Sequence, residues 1–289
     1  MSQPDLTSSN LFNVKGKIVL VTGGGSGIGK MIAAGFAQNG AKVYIASRKE
    51  SQLKDAVAEI SESATGKVDY IVADIAVLNL KSKAGCDALI SEFKKRESKL
   101  HVLVNNSGTS WGSPFDDVQE ERGWDYVFHL NVKSIFYMTA GLTNLLSKDS
   151  TSHDPGRVIN ITSTASVQAS AESEVSAQGN GVWSYSPSKA AANHLTSALA
   201  VKLGPSQITV NAILPGTFAS KMTAFGLRTY GEEAFVKYQP NGRIGNSHDM
   251  AGLALFLASP ASAHITGSHI ILDGGARFRA QKIAPATKL

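Results

Sequence analysis

The sequence predicts an α/β fold: a doubly wound, seven-stranded parallel sheet in a single domain. Two observations carry this. Short continuous apolar runs rich in Val and Ile alternate along the chain with segments of helical periodicity. Each run is apolar at successive positions, so both of its faces are buried, as in a parallel sheet covered by helices on both sides. Right-handed crossovers then wind the helices onto the two faces. The composition agrees: 43% hydrophobic and 18% charged residues exclude a disordered or fibrous chain. A chain of this size buries about three quarters of its unfolded surface, so its core needs no staple. The single cysteine, Cys86, rules out an intrachain disulfide and a cysteine-based zinc site.

Taken in order, strands are expected at 17–22, 42–46, 68–73, 100–104, 157–161, 208–214 and 268–272. Helices are expected at 28–38, 52–60, 86–95, 124–146, after Tyr185, and at 250–258. The domain spans 13–276, after a flexible tail at 1–12 and before a basic extension at 277–289 that holds Arg277, Arg279, Lys282 and Lys288. Polar or small-residue insertions fall at 149–156 and 167–183, and a substrate lid at 217–240. In such a sheet ligands sit beyond the carboxyl ends of the strands, so the residues after each strand are where chemistry is expected.

The first strand runs directly into Thr-Gly-Gly-Gly-Ser-Gly-Ile-Gly, residues 22–29. Glycines allow positive φ and close approach, and the N–H groups of the next helix then face an anion. A diphosphate is the natural guest of Gly23, Gly25, Ser26, Gly27, Ile28 and Gly29. The stretch Gly-Gly-Ser-Gly-Ile-Gly-Lys also approaches a P-loop, but Met31 stands where that motif needs Ser or Thr for magnesium. At the end of the second strand an acidic residue would hold ribose hydroxyls, and Ser47 stands there instead. Arg48 follows and can fork onto a 2′-phosphate, which favours NADP over NAD. The competing reading of Arg48 is a solvated loop charge.

Tyr185 and Lys189 stand four apart at a helix start and so share a face. Free tyrosine has a pKa of about 10, and bringing it near 7 takes about 4 kcal/mol. A unit charge about 4 Å away supplies that order of energy at an effective dielectric near 20. The pair is a plausible proton donor for neutral pH. Tyr and Lys at this spacing are also common surface pairs. Position supplies the weight: the pair follows a strand ending near Ser163, and Asn131 and Asn105 precede it.

Together the glycine turn, Val-Ala-Asp-Ile at Asp74, Asn-Asn-Ser-Gly at 105–108, Asn131, Ser163, Tyr185 with Lys189, Pro-Gly at 215–216 and the final Asp-Gly-Gly resemble the short-chain dehydrogenase/reductase family, in family order along nearly the whole chain. Asn-Ser-Gly-Thr-Ser-Trp-Gly at 106–112 and Arg-Val-Ile-Asn-Ile-Thr-Ser at 157–163 are similar to the β-ketoacyl reductases, including the rhamnolipid-pathway type. The resemblance implies a Rossmann fold and roles. Tyr185 would protonate a carbonyl oxygen as hydride leaves the nicotinamide. Lys189 would lower its pKa and bind the nicotinamide ribose, Ser163 would hold the carbonyl oxygen, and Asn131 would anchor a relay water. Asp74 with Ile75 would meet the adenine, Asn105 and Gly108 would line the cofactor, and Pro215, Gly216 and Thr217 would border the nicotinamide.

Two departures stand out. Ser107 replaces the family's frequent Ala, and the gap from Ser163 to Tyr185 is longer than usual. The extra residues, with Glu172, Glu174 and Trp183, either lie over the substrate or bulge into solvent. Met222, Phe225, Leu227 and Phe235 suit an apolar substrate wall, or equally the buried face of two short helices. Trp111 either lines the pocket or caps the core. No histidine pair has metal spacing, so no metal is expected.

The expected function is an NADPH-dependent reductase of a ketone carbonyl, of a β-ketoacyl or secondary-metabolite type. The alternatives are a secondary-alcohol or sugar-alcohol dehydrogenase and, from another class, a non-catalytic NADPH-binding sensor. Scattered basic residues, without aromatic interleaving, give no reason to expect nucleic acid as a partner. No membrane span or secretory leader is expected, so the cytoplasm is the expected compartment. The C-terminal Thr-Lys-Leu leaves the peroxisome as an alternative. The family resemblance implies a homotetramer or homodimer.

Overall fold

Ile18–Thr22 forms β1, fully buried after its first residue, and the sheet is built outward from it. The computed structural model describes residues 3–75, 83–172, 177–237 and 239–278. Glu174, Arg279, Lys282, Lys288 and the Thr-Lys-Leu terminus lie outside them. The other strands are β2 (Lys42–Ser47), β3 (Val68–Val72), β4 (Val102–Asn105), β5 (Gly156–Ile161), β6 (Ile208–Pro215) and β7 (His269–Leu272). All pair in parallel in the order β3-β2-β1-β4-β5-β6-β7. The order reverses between β1 and β4, where an open sheet forms its ligand crevice. The fold is therefore the expected doubly wound α/β sheet.

The helices are α1 (Ser8–Leu11), α2 (Gly27–Gln38), α3 (Glu50–Ser61), α4 (Lys83–Arg96), α5 (Tyr126–Phe128), α6 (Ser134–Ser147), α7 (Tyr185–Leu203), α8 (Ala224–Val236) and α9 (Ser247–Ala258). Side chains alternate across each strand, so the sheet feeds two cores. On one face Leu20, Leu103 and Val158 pack with Leu89 and Phe93 of α4, Met138 and Leu142 of α6, and Leu199 of α7. On the other, Val19, Val21 and Ile159 pack with Ile32 and Phe36 of α2, Leu53 of α3 and Leu257 of α9. Each fully buried Leu or Ile contributes roughly 2 kcal/mol. Cys86 lies in the first core, where burial pushes its thiol up to about 12 and leaves it inert.

Two expectations are corrected in detail, and one of the alternatives for 217–240 is met. The tail expected over 1–12 carries α1, and Phe12 sets its ring 6.3 Å from that of Phe256. The helix expected over 124–146 starts earlier and is interrupted by π turns at Glu120–Asp125 and His129–Lys133. Periodicity reads helical character but not which carbonyl each N–H meets. Within 217–240, Gly231 at φ 76° kinks α8, so this stretch is two short helical pieces.

The insertion at 149–156 is tied down at the amino end of the sheet. Asp154 accepts from Lys17 at 2.7 Å and from Arg157 at 3.1 Å. Arg157, 1% exposed, also donates to the carbonyls of Ser259 and Pro155. Burial raises the Asp154 pKa, but the hydrogen bond from Lys17 and the charges of Lys17 and Arg157 outweigh it and hold the carboxyl low. Nearby, His101 Nδ1 accepts the Ile18 amide at 2.9 Å. Burial and the Lys17 and Lys99 charges push this imidazole from 6.5 down to about 4.

A folded-state pKa below the unfolded one gives stability that is complete above 6.5 and lost as pH falls through about 4. The urea midpoint should therefore fall between those two pH values. In His101→Asn, which keeps an acceptor for Ile18, that slope should be shallower; an unchanged slope would place the acid sensitivity elsewhere.

Candidate active site

The carboxyl ends of β1, β2, β4 and β5 open onto a cleft of about 560 Å³. At its β1 end Gly23 and Gly27 adopt φ of 67° and 53°, which only glycine takes without strain. Gly29 is needed for a different reason. A Cβ there would lie 2.4 Å from both the Gly23 carbonyl and Asn106 Nδ2. The first turn of α2 thus lies directly on the turn before it, with its amides facing the cleft. Gly25, Ser26 and Ile28 line the cleft beside them, whereas Gly29 lies behind as the spacer. The P-loop alternative finds no support: Lys30 is drawn onto Glu59 at 2.7 Å.

Asn106 and Thr22 lock β4 to β1. The Thr22 hydroxyl accepts the amides of Asn106 at 3.0 Å and Ser107 at 3.1 Å, and Asn106 Nδ2 donates to the Thr22 carbonyl. Asn105, expected to line the cofactor, is turned away and is corrected here. It donates to Asn160 Oδ1 at 2.9 Å and to Thr139, within the sheet and α6. Alternation along β4 sends neighbouring side chains to opposite sides, so it is Asn106 that reaches the cleft.

Ser47 and Arg48 stand at the β2 end of the cleft, with Asp74 and Ile75 opposite. The Ser47 hydroxyl is buried without a hydrogen-bond partner, a cost of about 1–3 kcal/mol unless a ligand meets it. Arg48 donates to the Tyr126 phenol at 3.1 Å, so it is held by α5. Tyr126 was not legible in the sequence, because nothing local connects it to Arg48. Positive-φ glycines, the orphaned hydroxyl and an arginine with no salt bridge among the described residues together fit a dinucleotide with an extra phosphate.

Tyr185 and Lys189 rise from the first turns of α7 into the same cleft. Ser163 stands after β5, accepts the Ala165 amide at 3.1 Å and lies near enough to the Tyr185 phenol to lower its pKa. Lys189, 4% exposed, donates to the Ile161 carbonyl at 2.9 Å, with its ammonium 5.7 Å from the Tyr185 ring centre. Burial brings Lys189 down to about 8. Burial raises the Tyr185 pKa, and the Ser163 hydrogen bond opposes this in part. The expected net lowering of the phenol by Lys189 is therefore not what the fold produces: desolvation dominates and keeps the phenol protonated.

Asn131, fully buried, sits on the second π turn. Its amide bonds Thr109 in both directions at 2.9 Å and donates to Ser188 Oγ at 2.9 Å. Gly108 lies against it and Lys189; a Cβ there would be 3.3 Å from Asn131 Oδ1 and 3.2 Å from Lys189 Nζ. Pro215 ends β6, and the Gly216 amide is taken by the Leu272 carbonyl at 2.9 Å. Thr217 is placed differently from expectation. It lines a smaller hollow with Phe218, Arg243 and Asp273, because its backbone pairs with Gly245.

The insertion at 167–183 does not simply bulge into solvent. Ser113 and Gly181 exchange backbone hydrogen bonds of 3.1 and 2.9 Å, and Trp183 Nε1 donates to the Ser113 carbonyl at 3.0 Å. Trp183 also meets Phe115 edge-on at 5.0 Å. Trp111 packs against the Gly123 backbone of the first π turn. Met222 lines the cleft, and both it and Phe225 are exposed, whereas Phe235 is buried. Among the described residues no group of His, Cys, Asp and Glu could hold a metal, and no helix is long and apolar enough to cross a membrane.

A parallel sheet with a glycine turn at its crevice, and a Ser, Tyr and Lys set two strands away, is the arrangement of a dinucleotide-dependent oxidoreductase. A family model described as enoyl-(acyl carrier protein) reductase matches residues 23–277. The rhamnolipids biosynthesis 3-oxoacyl-[acyl-carrier-protein] reductase of Pseudomonas aeruginosa is 39% identical over 265 residues, 91% of this chain and 97% of that protein. An NAD-dependent glycerol dehydrogenase of Listeria innocua is 32% identical, over 91% of this chain and 95% of its own length. The solved RhlG/NADP active-site complex of Pseudomonas aeruginosa superposes with a TM-score of 0.83 at 37% identity, covering 92% of this chain and 98% of that one. The chain belongs to the short-chain dehydrogenase/reductase family.

The strap at Ser113 and Gly181 can be tested directly. A Cβ on Gly181 would lie 2.5 Å from Trp183 Cε2. Gly181→Ala should displace the indole, and amide exchange at Ser113 and Gly181 should speed up while the β1 amides stay protected. Unchanged exchange would mean that the strap is held by other contacts.

Proposed function

We propose that the protein is an NADPH-dependent reductase of ketone carbonyls, with substrates of the β-ketoacyl or secondary-metabolite type. The observation that carries this is the placing of Tyr185 and Lys189 in the cleft that holds the glycine turn and Arg48, with Ser163 beside the Tyr185 phenol. The relatives support it: one reduces a 3-oxoacyl group by its name, and a solved neighbour is an NADP complex. Exposed Met222 in the cleft lining, with Phe225 and Phe115 also exposed, suits a substrate whose ketone carries an apolar chain or ring.

Gly23, Gly25, Ser26, Gly27 and Ile28 hold the diphosphate on backbone amides. Ser47 and Arg48 take the 2′-phosphate, and Asp74 and Ile75 flank the adenine. When bound, the nicotinamide supplies the hydride that adds to the carbonyl carbon. Ser163 and Tyr185 converge on the carbonyl oxygen. As the C=O electron pair moves to oxygen, Tyr185 gives up its phenolic proton to that oxygen and the alcohol forms. The Lys189 ammonium stabilises the phenolate left behind until a solvent proton replaces the one lost. Asn131, held by Thr109 and Ser188, keeps the π turn rigid beside Lys189.

The assembly we infer is a homodimer or homotetramer in the cytoplasm. Exposed Phe136 on α6 and Val201 on α7 support pairing through the long helices.

Tyr185→Phe should lower turnover about 10²–10⁴-fold, the usual span for a positioned general acid. NADPH affinity, measured by titration calorimetry, should be unchanged. Since burial keeps the phenol protonated, reduction should persist through neutral pH and decline on the alkaline side. A Tyr185→Phe protein with full turnover would remove Tyr185 as the proton donor, whereas a wild-type chain that binds NADPH and turns over no ketone would be a cofactor-binding sensor.

A further inference from the structure

The glycine turn supplies amides but no full positive charge, and the first turn of α2 contains neither acid nor base that faces the cleft. A diphosphate carries about two negative charges, which backbone dipoles offset only in part. The lysine that follows the turn in sequence is unavailable, because Lys30 is held on Glu59 at 2.7 Å. Arg48 and Lys49 stand at the β2 end of the cleft, where the 2′-phosphate is read.

A different cation arrives from the lid. Residues 218–223 form a stapled turn: the Ser220 amide donates to Thr223 Oγ1 at 2.9 Å, and that hydroxyl donates to the Phe218 carbonyl at 2.7 Å. The staple sets Ser220 on the glycine turn, so close that a Cβ on Gly27 would lie 3.2 Å from Ser220 Cβ. Lys221 follows, lines the cleft, and has no salt bridge among the described residues.

We propose that Lys221 is the cation that binds the dinucleotide diphosphate, reaching it from the substrate lid rather than from α2. This rests on the reading of the cleft as the NADPH site. Its four-carbon stem lets the ammonium reach phosphate oxygens from a backbone already seated on the turn. The contact also ties the lid to the cofactor, so that the apolar wall at Met222 and Phe225 is set in place when the diphosphate binds.

The test is titration calorimetry of the full chain with NADPH, NADH and ADP-ribose over a salt series. All three share the diphosphate, and only NADPH has the 2′-phosphate. Lys221→Gln should weaken all three by the same factor, about tenfold for a charge-assisted contact. Its salt dependence should be shallower, Lys221→Arg should recover most of the loss, and the thermal midpoint of the free protein should not move. Arg48→Gln should weaken NADPH alone. Unchanged ADP-ribose affinity in Lys221→Gln would overturn the proposal, including the case in which only the KM for the ketone rises. Loss confined to NADPH would move Lys221 to the 2′-phosphate and also overturn it. A wild-type chain that binds neither dinucleotide would remove the NADPH reading itself, a result distinct from both.

Discussion

The contact of Gly29 with the Gly23 carbonyl and the Asn106 amide is the constraint on which the rest of the cleft depends. It brings the first turn of α2 onto the end of β1 with no room for a methyl group. Asn106 and Thr22 then bond across from β4, so the crevice is closed at its base by backbone and two side chains. Position in the sheet follows from this. β1 and β4 are the neighbours at which the strand order reverses, and their ends diverge into the cleft. Everything that meets a ligand hangs from strand ends whose spacing this contact sets.

Burial, more than pairwise charge, shifts the two groups proposed for the chemistry. Tyr185 and Lys189 are both desolvated, which raises the phenol and brings the ammonium down to about 8. The two shifts move the pair's proton affinities apart, with the phenol the weaker acid of the two. At the opposite edge of the sheet, Lys17, Arg157 and Asp154 occupy the amino ends of β1 and β5 with His101 beside them. There the charges hold a loop to the core. The same sheet thus carries a chemical edge and a structural edge, as parallel strands require, since all their carboxyl ends point one way.

Both long connections are attached to the chemical edge. The 167–183 insertion is fastened to the loop after β4 through Ser113, Gly181 and Trp183, and the stretch after β6 lies against the glycine turn through Ser220. Phe115, Met222 and Phe225 stay exposed beside these attachments, and Met222 lines the cleft.

The alternation of apolar runs and helical periods determined the sheet, its strands within a residue or two, and both cores, because burial on two faces leaves a local mark on every strand. The glycine turn, Ser47, Arg48, Ser163, Tyr185 and Lys189 were legible for the same reason: their chemistry follows from residue type and place after a strand. Tertiary structure decided what depends on distant partners. Asn105 and Asn106 are adjacent and chemically identical, and only strand alternation against β1 and β5 sends one to the cleft and the other into the sheet. Tyr126 reaches Arg48 from 78 residues away. Lys30 is lost to Glu59 and Lys221 arrives beside the turn, although the sequence places the first next to the glycines and the second far from them. The Tyr185 pKa turns on desolvation, a property of the whole surrounding fold that spacing along one helix does not contain.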